Sequence, residues 1–377
     1  MNLSKKSTQD NTPGRLLVMA WPEAVAKTDG NWYDIIFKIM NNQSGFHKVG
    51  HAAIAVMNMI SGEINYFDFG RYLTKERAGR ARSIETDPDV VIKIKGKIKN
   101  DKVENMEEIL QFLAFHEPLH GSGALWATFP EEIVSVEETI KYVRQYQERG
   151  DIRYGPFIYK GSNCSRFVCD VAKSIFKNEK RIRHLNYPIS CTPTPLGNVF
   201  SSSLGQSPIW KVNSDYIETI SYNWHFAAFD MGCSVFTFNP PPPNASPEGT
   251  LVAPKRVSNV PKAAQWLGAL GAGAWFHIEK NNNNSNLGEN EYLIHRFAPN
   301  GDVEFSRKFY CEQTDFDISK DYYFQYNTNA RWCYIEQNGH VFKFLSEEEI
   351  CLKKGLSPKN AIQLSKKSQE DLSKVLC

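Results

Sequence analysis

No two of the eight cysteines, at 164, 169, 191, 233, 311, 333, 351 and 377, stand at C-x-x-C spacing. A chain of 377 residues can bury a core without staples. Their scatter therefore argues against a disulfide framework and against zinc held by cysteine. Most of these thiols are expected to be small buried hydrophobes. The sequence also lacks an apolar run of about 18 residues, so no helical membrane span is expected. It has no excess of one charge: 44 basic residues against 42 acidic ones leave +2, which removes the electrostatic case for a nucleic-acid partner. The opening stretch MNLSKKSTQDNTPGR has no apolar segment of the secretory kind. The expected compartment is the cytoplasm, with export by a signal-independent route left open. No internal repeat of fixed period is present.

What the sequence does have is an ordinary globular composition, 41% apolar and 23% charged, over a length that calls for two or three domains. Residues 1–13 read as a disordered tail. Arg15 to Ala20 (RLLVMA) is apolar throughout and predicts a buried strand; Trp32 to Met40 has helical spacing. Val49 to Met59 and Ile64 to Phe69, joined by Ser61-Gly62, predict a hairpin beginning at His51. Val90 to Ile98 alternates as a strand does. Glu104–His116 and Val136–Gln147 predict helices, the second with Ser135 and Glu138 as a capping box. A further helix starts near Asn163 and runs to about Phe176, with Phe167, Val168, Val171, Ala172, Ile175 and Phe176 on one apolar face. Asn239 to Pro247 (NPPPPNASP) is the clearest linker. After it two hairpins are legible, around Pro299-Asn300-Gly301 and around Asn338-Gly339, the latter a type I′ signal. These signals divide the chain into a domain over 14–205, a connecting segment over 206–249, a β-rich domain over 250–346 and a helical tail over 347–377.

A thiol nucleophile needs a lowered pKa, a base within reach and donors for the oxyanion. Cys164 follows Asn163 at the start of a predicted helix, where unpaired N–H groups and positive potential favour thiolate. His51 opens a predicted strand after Gly50, a rigid place for a base. The next strand offers a third group: Tyr66 and Asp68 share one face, and either can orient the imidazole.

Gly50-His51-Ala-Ala-Ile-Ala-Val followed by a hairpin, and then Asn163-Cys164-Ser165-Arg166-Phe167-Val168, resemble the NlpC/P60 superfamily. Because the histidine precedes the cysteine, the order resembles its circularly permuted branch, which includes lecithin:retinol acyltransferase-like proteins and bacterial cysteine hydrolases. The resemblance covers roughly residues 45–180. It implies an α+β, papain-like fold in which a helix carrying Cys164 packs on an antiparallel sheet carrying His51, followed here by the small β-rich domain. It also implies a polar third residue at Tyr66 or Asp68, a tyrosine near the oxyanion site at Tyr154, and no cofactor. The expected chemistry is hydrolysis or acyl transfer at an amide or ester bond, through a thioester on Cys164. Expected substrates are peptidoglycan-type peptides, isopeptides or acyl lipids.

The alternative is a non-catalytic binding module that keeps the fold. Arg71, Arg80 and Arg82 are candidates for an anionic substrate group, but a solvated loop or ion pairs with Glu85, Asp87 and Asp89 are favoured. His116 and His120 are four apart, yet Pro118 between them argues against a helical metal pair, and no metal is expected. Gly268 to Gly273 has the wrong spacing for a dinucleotide loop and reads as a turn into a strand. The many aromatic residues of the C-terminal half are expected to be core.

Overall fold

The computed structural model describes residues 11–28, 30–31, 46–119, 123–187, 192–214, 216–223, 250–281 and 290–353. Outside them lie the expected helix at 32–40, the proline-rich linker, His120, Cys191, Cys233, Cys377, most of the polar N-terminal tail and the tail beyond Lys353. The chain divides into two compact units. One takes Met1–Gly70, Arg77–Ile84 and Val90–Ala245; the other takes Arg71–Glu76, Glu85–Asp89 and Ser246–Cys377.

The strands of the first unit are β1 (Pro13–Trp21), β2 (Val25–Lys27), β3 (Phe46–Lys48), β4 (His51–Asn58), β5 (Ile64–Gly70), β6 (Ala78–Arg82), β7 (Ile98–Lys99), β8 (Lys102–Val103), β9 (Leu125–Thr128), β10 (Val134–Ser135), β11 (Ile152–Arg153), β12 (Ile209–Val212) and β13 (Ile217–Ile220). Its helices are α1 (Met106–Phe115), α2 (Val136–Glu148), α3 (Cys164–Ile175), α4 (Glu179–Asn186) and α5 (Pro195–Ser203). The main sheet has the order β11-β6-β5-β4-β1-β9-β12-β13, with β10 beside β1, and its pairings are antiparallel.

Both faces of this sheet are covered. Leu16, Val18, Ala20, Ala52, Ile54 and Val56 pack under residues of α2, α3 and α5, while Leu17, Met19, Trp21, Ala53, Ala55 and Met57 meet Ile109, Leu110 and Leu113 of α1. Two-sided burial is why RLLVMA and AAIAV are unbroken apolar runs rather than alternating ones. On α3 the predicted face is the buried one, and each large side chain there contributes about 1.5–3 kcal/mol on leaving water. Ser135 accepts from the Glu138 N–H at 3.1 Å and starts α2.

Two readings need correction. Val91 to Lys97 is not a strand. Its alternating Ile92 and Ile94 rest against the core, but its backbone bonds go to loops: Gly96 N–H to Gly62 O at 2.8 Å, Lys97 N–H to the Asn105 side chain at 2.7 Å. Alternation reported burial, not a ladder. The boundary at 205 also falls short, because β12 and β13 extend the first sheet, and two short stretches of the first half fold with the second unit.

The second unit is an antiparallel sheet of β14 (Gln265–Gly268), β15 (Gly273–Lys280), β16 (Glu291–Phe297), β17 (Val303–Cys311), β18 (Tyr323–Phe324), β19 (Trp332–Gln337) and β20 (His340–Ser346), in the order β14-β15-β16-β17-β20-β19-β18, closed by α6 (Glu347–Lys353). Asn338 and Gly339 both have positive φ, +53° and +80°, as a type I′ turn requires. Phe276, Phe305, Phe309, Phe324, Phe342 and Phe344 fill its core together with Leu73 from the first half of the chain. The architecture is α+β: helices on an antiparallel sheet, then a β-rich unit.

Candidate active site

Helix α3 begins where the sequence caps it. The Asn163 side chain accepts from the Arg166 N–H at 2.8 Å and its carbonyl accepts from Phe167 N–H at 2.9 Å. That leaves Cys164 in the first turn, where backbone N–H groups have no partner within the helix. Arg166 also donates to the carbonyls of Gly155 and Ile158, tying the preceding loop to the helix start. The Asn198 side chain holds the Ser165 carbonyl at 2.8 Å.

His51 is set by its neighbour. Gly50 has φ +71°, and a Cβ there would stand 2.9 Å from Pro195 and 3.2 Å from the Trp21 carbonyl, so only glycine turns the chain into β4 at this point. Trp21 lies opposite His51 in the ladder, with ring centroids 5.8 Å apart. The His51 imidazole and the Ala52 N–H both lie within electrostatic reach of the Cys164 thiol.

Asp68 is fully buried on β5, and its Oδ2 lies 3.3 Å from His51 Nε2. This is an ion-pair separation without the alignment of a hydrogen bond. Arg82, across the ladder on β6, grips the same carboxylate with both arms, Nε to Oδ1 at 3.0 Å and Nη2 to Oδ2 at 2.7 Å. The Tyr66 hydroxyl donates to Oδ2 at 3.2 Å. So Cys164, His51 and Asp68 come together, and the Tyr66 hydroxyl meets Asp68 as well. Tyr154 stacks on Phe69 with centroids 6.0 Å apart and planes 7° apart, packed against the core that holds α3.

The charges follow from this placement. Burial pushes the His51 pKa down, but Asp68 and then Cys164 outweigh it and lift it to about 9. Burial pushes the Cys164 thiol up, yet His51, the Ala52 N–H and Ser165 bring it below its ordinary value. Arg82 and His51 hold the Asp68 carboxyl well below the usual carboxylate range despite its burial. The arrangement favours an imidazolium–thiolate pair over neutral partners. Burial pushes Cys169 up to about 12 and raises Cys311 and Cys333 as well.

The sequence offers Arg82 as a substrate-binding arginine, or as part of a solvated loop or an ion pair with Glu85, Asp87 or Asp89; in the structure it grips Asp68. Asp87 instead pairs with Arg296 within the second unit. The missed signal was register: opposite charges at 68 and 82 on neighbouring strands. Among the described residues no group of three or more His, Cys, Asp or Glu is placed to hold a metal ion, and no helix is long and apolar enough to cross a membrane.

No curated protein matches the chain. A crystal structure of the type VI secretion system effector TseH aligns at 14% identity and TM-score 0.35, over 55% of this chain and 98% of that one. Residues 264–347, most of the second unit's sheet, match the family described as the DUF6695 C-terminal domain. Residues 16–180, which carry Cys164, His51, Asp68 and Arg82, match the family described as type VI secretion system effector TseH-like.

Proposed function

We propose that the first unit is a cysteine hydrolase or acyltransferase, and that the chain acts as a delivered effector. The observation that carries this reading is the contact of a thiol at a helix N-terminus with an imidazole paired to a buried carboxylate. In the proposed reaction His51 takes the Cys164 proton and the thiolate adds to an amide or ester carbonyl carbon. The first-turn N–H groups of α3, with Tyr154 as a further donor, stabilise the oxyanion. As the intermediate collapses, the imidazolium gives its proton to the leaving nitrogen or oxygen, and a thioester remains. His51 then draws a proton from water, or from an acceptor hydroxyl or amine, which displaces Cys164. Asp68 orients and charges the imidazole; Tyr66 and Arg82 hold Asp68. Cys164 and His51 retain only 5% and 8% of their surfaces, so the reacting atoms are largely withdrawn from water, which strengthens each electrostatic contact.

The family match over 16–180 supports the effector role. It is compatible with the signal-independent export that the sequence reading leaves open beside the cytoplasm. Peptidoglycan-type peptides, isopeptides and acyl lipids are the substrate classes to test. Peptide mapping after brief treatment with iodoacetamide at about pH 6.5 tests the site without a substrate. Cys164 is expected to label at least ~10-fold faster than Cys169, Cys311 and Cys333, because only the thiolate reacts. Equal, slow labelling of all four would replace the enzyme by a binding module of the same fold.

A further inference from the structure

Cys164 is the first residue of α3, and the bonds that cap this helix move with it. The Asn163 side chain holds the Arg166 N–H at 2.8 Å, which fixes where the helix starts but not how it is turned about its own axis. That angle matters at the thiol. With Cα atoms about 2.3 Å from the axis and the sulfur about twice as far out, a turn of about 15° carries Sγ through about 1 Å. Misplacement on that scale can cost about 10²-fold in a reaction that needs aligned partners. The apolar face of α3 buries Phe167, Val168 and Val171 completely. Apolar contact has no preferred direction, whereas a hydrogen bond to another element does.

Helix α5 supplies such a bond. Its Asn198, 2% exposed, donates from Nδ2 to the Ser165 carbonyl at 2.8 Å. The peptide unit between Ser165 and Arg166 is thus gripped at both ends, its N–H by Asn163 and its carbonyl by Asn198. Three residues earlier on the same helix face, Pro195 abuts Gly50, where a Cβ would stand 2.9 Å from the proline ring. Gly50 precedes His51 and Ser165 follows Cys164. The first turn of α5, started by the Thr194 side chain accepting from Gly197 N–H at 2.9 Å, therefore touches the chain beside both members of the thiol–imidazole pair.

We infer that the first turn of α5 is the spacer that sets Cys164 against His51: Asn198 fixes the turn of α3 about its axis, and Pro195 fixes the entry into β4. This rests on the reading of Cys164 and His51 as the reacting pair. Asn198 and Pro195 are then positioning residues, acting through Ser165 and Gly50. The groups that bear on the thiol are His51 and the Ala52 N–H from β4, with Asp68 of β5 paired to His51, and the Ser165 hydroxyl at 3.9 Å on α3 itself. Helix α5 reads PLGNVFSSS and has no ionisable side chain, so a substitution at Asn198 or Pro195 by an apolar residue changes no charge near the pair. It reaches the thiol by moving it. With the pair held less closely, the imidazolium stabilises the thiolate less and the thiol titrates higher.

The test uses the full chain and the pH dependence of Cys164 alkylation by iodoacetamide, read by peptide mapping against Cys169 in the same helix. Asn198→Ala, which leaves room, and Asn198→Leu, which fills it, both remove the donor. Each is expected to raise the acid limb of Cys164 labelling by about one pH unit, so that labelling at about pH 6.5 slows about tenfold. Cys169 is expected to stay slow, which reports α3 still packed. Pro195→Ala is expected to move the limb the same way and by less. Val171→Ala, a truncation on the buried face of α3, is expected to lower Tm and leave the limb in place. An unmoved limb in folded Asn198→Ala or Asn198→Leu, or an equal shift in Val171→Ala, overturns the inference. A wild-type protein whose Cys164 shows no acid limb below the ordinary cysteine range sinks the reading of the site itself.

Discussion

Asp68→Asn is expected to lower Cys164-dependent kcat/KM by about 10³-fold, the scale on which a histidine base loses efficiency when its oriented charge partner is neutralised. The amide can still take the carboxylate's place beside His51, but it cannot stabilise an imidazolium. With that charge gone, burial is the dominant influence on His51 and drives its pKa down from about 9. The thiol, no longer facing an imidazolium, rises. Two readouts follow. In wild type, activity holds over a window whose alkaline limb lies near pH 9 and whose acid limb lies below the ordinary cysteine value; the limbs belong to the coupled pair, not to either residue. In Asp68→Asn the alkaline limb moves down, and the window narrows from both ends. Stability responds with the matching sign. A histidine lifted from 6.5 to about 9 adds stability that is complete below pH 6.5 and is lost as pH rises through 9. The lowered Asp68 adds stability that is present above its ordinary value and lost as pH falls through its folded one. A variant that keeps a third of wild-type kcat/KM, or a profile that does not narrow, ends the assignment of Asp68.

Much of this arrangement is legible in the sequence. Asn163 announced a cap, and its side chain makes the bond that a cap makes. The period-2 pattern put Tyr66 and Asp68 on one face, where both are found. What the pattern left open was which of the two meets the histidine, because alternation fixes a face and not a distance along the strand. Arg82 was harder. A run of Gly and Arg between two strands reads as a solvated loop. Arg80 and Arg82 are buried where β6 pairs with β5, at a register that a local pattern does not encode. The same limit applies to residues 71–76 and 85–89. They carry no compositional break, and their place depends on Leu73 and Asp87 finding partners some 200 residues away, Arg296 among them.

Arg82→Met separates the two functions that meet at Asp68. The substitution leaves a fully buried carboxylate without the bidentate partner that holds both its oxygens. Removing one member of such a pair costs about 3–5 kcal/mol, because the other charge stays buried and uncompensated. The largest loss of Tm in this set is therefore expected here, measured by thermal or urea unfolding near pH 7. Arg82→Lys keeps the charge but not the fork, and is expected to fall between Arg82→Met and wild type. The effect on the thiol pair runs opposite to that of Asp68→Asn. With Arg82 absent, His51 no longer shares the carboxylate with a second cation, so the imidazolium persists to higher pH and the alkaline limb moves above 9. Stability falls while the His51 charge strengthens. In the double variant Asp68→Asn/Arg82→Met both buried charges are gone, so its loss of stability is expected to fall short of the sum of the two single losses by about 1 kcal/mol or more, the range seen for residues in direct contact. Its pH profile is expected to follow Asp68→Asn, because Arg82 acts on the histidine only through the carboxylate. Additive losses would mean that Asp68 and Arg82 do not stabilise the fold as a pair, and a double variant whose limb stays high would mean that Arg82 reaches His51 by another route.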